Sequence, residues 1–218
     1  MSLIAKDKGG TDYEPLAAGM HHAVCYGIVD LGTQPGGQFE PKRKVAFLWE
    51  VPAERIKFEK DGQKKDLPRG VTATYTLSLH TKGLLRPMLE SWRGKAFTTE
   101  ELNGFDLKTI LGANCLLNIV HAAGTGKNAG KTYANVKSVN PPMKGTPRLT
   151  SENVPLFFSI DECGDTITVP PTVPDWLKGK ILQSEECVRE QRKNGAPDAT
   201  EEEQANRSSS NLDEDVPF

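Results

Sequence analysis

Along much of the chain hydrophobic and polar positions alternate with a period of two, and this spacing predicts five strands. The first covers residues 22–30 and stops at Pro35-Gly36-Gly37. In the second, 42–51, Val45, Phe47, Trp49 and Val51 alternate with Lys44, Ala46, Leu48 and Glu50. The third, 71–79, is the cleanest: Val71, Ala73, Tyr75, Leu77 and Leu79 share one side, and Thr72, Thr74, Thr76 and Ser78 the other. Between the second and third lies a charged insertion, 58–68, whose Lys60-Asp61-Gly62-Gln63 centre reads as a hairpin tip. The fourth and fifth strands cover 114–121 and 131–139.

Between the third and fourth strands the period changes. Leu84, Leu85, Met88, Leu89 and Trp92 fall on one face of a helix over 82–95, with Pro87 its weak point unless it bends the chain or lies in the first turn. A short amphipathic stretch follows at 98–102, with Thr98 as its capping residue. Strand, strand, strand, helix, strand, strand is the order of the OB-fold, a five-stranded Greek-key barrel. The expected fold is therefore mainly β, with the helix between strands 3 and 4.

Flanking segments read differently. Residues 1–20 have little periodicity and are taken as a leader, with the OB domain at 21–145. In the extension, 146–193, the runs 156–160 and 165–169 suggest a small hairpin. A helix over 174–192 then opens at Pro174-Asp175, with Trp176, Leu177, Ile181 and Leu182 on its apolar side. Trp92 and Trp176, both on apolar helix faces, are expected in the core. Residues 194–218 are rich in Ala, Glu, Ser, Asn and Asp and are expected to be a disordered acidic tail.

Composition adds one feature that periodicity does not show. The net charge of −2 is divided unevenly: residues 1–145 hold 20 Lys/Arg against 14 Asp/Glu, while residues 146–218 hold 7 against 15. A basic body with an acidic tail suits a polyanionic ligand on the first and a different partner on the second. Hydrophobic residues make up 37% of the chain, and 20 Gly with 15 Pro imply many turns. No apolar run is long enough to span a membrane and the first ten residues are too polar for a signal peptide, so a cytoplasmic protein is expected. Cys25, Cys115, Cys163 and Cys187 form no Cys-x-x-Cys pair and no zinc spacing with His21, His22, His80 or His121. The expectation is four reduced structural cysteines, with no metal and no cofactor.

The stretch GTGKNAGKTY, residues 124–133, has the ingredients of a phosphate-binding P-loop but not its spacing. Counting back five positions from Gly130 reaches Thr125 rather than glycine, and a strand follows instead of a helix. The stretch is read as a basic hairpin loop. If Ala134 and Val136 face the barrel interior, Lys131, Tyr133, Asn135 and Lys137 line the opposite face, where a ring between cations would stack bases and hold phosphates. Lys127 in the loop would clamp a phosphate. Lys42, Arg43 and Lys44 form a basic entry to the second strand. Phe47 and Trp49 share a stripe of the kind cores use, so at least one of them is core, and Trp49 is the candidate stacking platform. Lys57, Lys60, Lys64, Lys65 and Arg69 make the insertion net basic, and Lys64 and Lys65 join the candidate nucleic-acid contacts.

The last six residues, Asp213-Glu214-Asp215-Val216-Pro217-Phe218, resemble the acidic tip of bacterial single-stranded DNA-binding proteins, with Val216 in place of Ile and Glu214 in place of Asp. That resemblance implies docking of the tip into a basic, apolar pocket on replication and repair partners. Around residues 90–94, 104–107 and 111–118 the chain also looks like an uncharacterised group of phage-encoded proteins connected with single-stranded DNA binding. This second likeness spans roughly residues 20–180 and assigns no site residues. It implies a phage protein acting in the bacterial host cytoplasm.

Together these features predict a non-enzymatic single-stranded DNA-binding protein of phage replication or recombination, which recruits partners through its tip. No membrane partner is expected, and self-association is compatible with the pattern. The alternative is an OB-fold adaptor that binds replisome or recombination proteins without touching DNA. No carboxylate cluster, Ser/His/Asp set or Cys/His pair supports catalysis.

Overall fold

The structure, a computed structural model, describes residues 14–60, 63–126 and 129–195. Among the described residues the strands are β1 (Gly19–Gln34), β2 (Lys42–Lys60), β3 (Gln63–Thr76), β4 (Asn114–Ala123), β5 (Thr132–Asn140) and β6 (Leu156–Phe158). The α-helices among the described residues are α1 (Leu85–Arg93), α2 (Thr99–Asn103), α3 (Asp175–Leu182) and α4 (Glu185–Gly195). The fold is mainly β: a curled antiparallel sheet in the order β3-β2-β1-β4-β5, forming a half-barrel. No ladder joins β3 to β5 among the described residues.

Strand β1 organises the sheet. On one side it pairs with β2 from Val24 to Gln34, and on the other with β4 from Gly19 to Val24. Beyond that point β4 has departed, and β6 covers the exposed edge by pairing in parallel with Gly27–Val29. Register shifts at Cys25/Gly27 and Asp30/Gly32 mark bulges, which bend a strand and increase its twist. At the second bulge only glycine fits: Gly32 has φ +68°, and a Cβ there would lie 2.6 Å from the Ser184 Cβ.

Two cores result, one on each face of β1 and β2. The inner one gathers Ile28, Val45, Phe47, Trp49 and Val51 with the α1 residues Leu85, Met88, Leu89 and Trp92. The outer one joins Val29, Leu31, Ala46 and Leu48 to β6 and to Leu177 and Ile181 of α3. Ala46, Leu48 and Glu50, which the alternation placed opposite the core stripe, are thus buried too. Glu50 is satisfied there by the Glu152 and Asn153 backbone N–H groups, both at 2.9 Å, and by Asn153 Nδ2 at 2.6 Å.

Several expectations need correcting. The described residues of the charged insertion extend the two strands: after a bulge between Val51 and Arg55, β2 and β3 pair from Arg55↔Pro68 out to Lys60↔Gln63, the ends of the expected hairpin tip, forming a two-stranded arm. The part of the leader at 14–18 is attached to the body, with Leu16 in the inner core and its carbonyl oxygen 2.8 Å from His121 Nε2. No hairpin forms at 156–169, because β6 runs parallel to β1 and the Ile167 N–H instead donates to the Glu190 carboxylate. The helix over 174–192 is broken at Gln183-Ser184 into α3 and α4, where the buried Ser184 hydroxyl accepts from Cys187 N–H. Helix α3 buries Leu177 and Ile181 while Trp176 is 51% exposed and Leu182 lies at the surface, contrary to the apolar stripe read from spacing. Helix α1 does carry Pro87 in its first turn, and Thr98 forms the full capping box with Glu101.

Candidate nucleic-acid interface

The half-barrel leaves a groove of about 600 Å³ where β3 and β5 approach without pairing. Arg69, Gly70, Val71 and Thr72 of β3 form one bank, and Gly130, Lys131, Thr132, Tyr133 and Ala134 the other. Pro15 and Leu16 close one end, and Ile56 of the arm lies beside them. Alternation in β5 has the direction its sequence predicts: Ala134 and Val136 pack against the inner core while Tyr133, Asn135 and Lys137 are exposed. Tyr133 is 41% exposed, which leaves its ring accessible at the groove. The Arg69 guanidinium is held by the Glu14 carbonyl oxygen, so the cation is fixed beside the groove.

Of the residues expected to contact nucleic acid, Lys131 and Tyr133 line this groove. Lys137 is exposed on β5 but is the extra residue of a bulge, between the pairs Asn118↔Ser138 and Ile119↔Val136, and it does not line the groove. Lys64 and Lys65 lie further out on the arm. Lys127 and the tip residues Asp213 to Phe218 lie outside the described residues.

The second-strand entry has a different character. Lys44 pairs with Thr76 across the β2–β3 ladder, five residues from Val71 and so about 17 Å along β3 from the groove. Arg43 donates to the buried Asp30 carboxylate at 2.5 Å and lies 2.8 Å from Asp161. Its hydrogen bond to Asp30 raises the guanidinium pKa further above its usual value. Asp30 also accepts from the Gly32 and Ile160 N–H groups at 2.9 and 3.2 Å, so the Arg43–Asp30 pair ties β1 to the extension. Lys44 Nζ donates to the Thr76 hydroxyl at 2.8 Å. Of the three, Lys42 is exposed, and Arg43 and Lys44 are half-buried.

Trp49 is a correction. It is 0% exposed, stacked on Phe47 at 5.6 Å between ring centroids and tilted against Trp92, so no base can reach it without opening the core. Phe47 is equally buried, which makes both rings of the stripe core residues. Arg69 and Ile56 at the groove were missed as site residues. The signal for Arg69 was present: it continues the inward parity of Val71, Ala73 and Tyr75 by one step.

The four cysteines are free, and burial pushes the Cys25 thiol up to about 12, which keeps it protonated and unreactive. Among the described residues no three His, Cys, Asp or Glu side chains gather to hold a metal, and no helix is long and apolar enough to cross a membrane. No family model, no curated protein and no solved structure matches the chain.

Proposed function

We propose that this chain is a single-stranded DNA-binding protein built on an OB-like barrel, with the groove between β3 and β5 as the place where unpaired nucleotides lie. One observation carries this: an exposed ring, Tyr133, stands at a groove that also has Lys131 on its bank and Arg69 opposite. A π-face accepts any base, and a cation beside it accepts a neighbouring phosphate, so such a groove holds a strand with little regard to sequence. The β1-β2-β3 meander, the β1–β4 pairing and α1 between β3 and β4 in the chain support the OB assignment. The acidic tip supports a role in phage replication or recombination, recruiting partner proteins while the barrel covers DNA.

Titration of labelled dT oligonucleotide and of duplex at two salt concentrations tests the proposal. Binding is expected to favour dT and to weaken steeply with salt, because counterions released from the strand drive much of the affinity. Equal affinity for duplex, or none for either, supports the adaptor alternative instead. Deleting Asp213 to Phe218 is expected to leave DNA binding unchanged or tighter and to abolish capture of replication partners.

A further inference from the structure

The arm formed by the outer halves of β2 and β3 has two unlike faces. Residues paired across an antiparallel ladder point to the same side, and sides alternate along the strand. The pairs Ile56↔Leu67 and Phe58↔Lys65 therefore share one face, and Arg55↔Pro68, Lys57↔Asp66 and Glu59↔Lys64 share the other. The second face neutralises itself: Arg55 donates to Asp66 at 2.6 Å and also pairs with Glu152, and Lys57 lies 3.9 Å from Asp66. On the first face Phe58 is 38% and Leu67 47% exposed, Lys65 is exposed, and no carboxylate of the described arm residues stands among them.

This face also has a position. Ile56, its innermost residue, lines the groove that holds Tyr133 and Lys131, so the apolar, cationic side of the arm continues the groove outward. Phe58 stands two residues, about 7 Å, beyond Ile56 along β2. An apolar ring beside a lysine fits a base and its phosphate, and the absence of acid on that side among the described residues favours a polyanion over a neutral partner.

We propose that the Ile56–Phe58–Leu67–Lys65 face carries the unpaired strand onward from the groove, with Phe58 as a second stacking ring and Lys65 as a phosphate contact. The inference rests on the nucleic-acid function proposed above and separates two neighbours that look equivalent in sequence: Lys65 touches the strand and Lys64 does not.

The test is a titration of wild-type protein and variants with dT oligonucleotides of about 30 and about 6 nucleotides, bracketing the span of one barrel. Phe58→Ala is expected to weaken the long oligonucleotide about 10-fold and leave the short one unchanged, as loss of one stacked base implies. Phe58→Leu, which keeps apolar area but removes the ring, should match it. Lys65→Gln should lower the slope of log affinity against log salt by about 0.7, the share of one phosphate contact, while Lys64→Gln leaves it unchanged. Wild-type affinity of Phe58→Ala or Phe58→Leu for the long oligonucleotide overturns the inference, as does equal loss for Lys64→Gln and Lys65→Gln. A change of sedimentation mass in Phe58→Ala also overturns it, because the face then serves a second copy of the chain. In each of these cases wild-type binding to dT still stands; if the wild type binds neither length, the function proposed above falls as well.

Discussion

Two basic sites, Lys42-Arg43-Lys44 on β2 and Lys131 at the groove, look alike as charge and differ in what faces them. Arg43 meets a buried carboxylate, Asp30, and a second acid, Asp161, from the extension; Lys44 meets Thr76. These cations are directed at the fold, and Arg43 joins the extension to the sheet. Lys131 stands on the bank of an open groove beside an exposed tyrosine. Among the described residues no acid pairs with Lys131, so its availability to a ligand is set by what the topology brings alongside and not by local spacing.

The largest effect expected from breaking this contrast is on stability. Arg43→Ala leaves Asp30, whose side chain is only 8% exposed, without its counter-charge, and costs about 3 kcal/mol in urea unfolding. Oligonucleotide affinity of the folded fraction should stay unchanged; a loss of binding with little loss of stability would move the interface to β2. Next comes the groove: Lys131→Glu with Tyr133→Ala is expected to weaken dT binding about 30-fold while shifting the unfolding midpoint little, since both side chains are exposed. Wild-type affinity for that pair would remove the groove from the account.

A smaller effect sharpens the β1 side. Burial alone would raise the Glu186 carboxyl, but the Thr33 hydroxyl and N–H, at 2.7 and 2.8 Å, together with the charge of Arg43, hold it below its ordinary value. A carboxylate with a lowered folded-state pKa contributes stability that is present above its unfolded value and lost as pH falls through the folded one. Acid unfolding of Glu186→Gln should therefore start from lower stability at neutral pH and fall less steeply below the ordinary glutamate range. An unchanged slope would mean that the contact between α4 and β1 carries no titrating charge. Smallest of all is the tryptophan signal: of Trp49, Trp92 and Trp176 only the last is exposed, and none lines the groove, so tryptophan emission should change little when dT binds. Strong quenching removed by Trp176→Phe would place DNA on the extension.

How far the chain was legible from its letters varies with what sets each feature. The five strands, the helix after β3 and the direction of Tyr133 follow from periodicity, because period-two alternation and an i, i+4 apolar face are local properties. The Thr98 capping box was legible for the same reason. The insertion was legible as a hairpin but not as an extension of both strands, because its charged residues mask a continuing alternation of Ile56 and Phe58 that only the partner strand completes. The second core was missed because Ala46 and Leu48 become buried only when β6 and α3 cover the outer face. The helix break at Ser184 depends on the close approach of Gly32, more than 150 residues earlier in the chain, so no local window contains it. The ion pairs of Arg43 were not legible for a similar reason, since Asp161 arrives from the extension.

Photo-crosslinking of a halogenated dT-length oligonucleotide to the full chain, with the attached peptides identified by mass, tests the central claim most directly. The account predicts attachment at Tyr133, with further attachment on the arm at Phe58. Attachment confined to the β1–β2 loop or to α3 and α4, with Tyr133 unmodified, would contradict it.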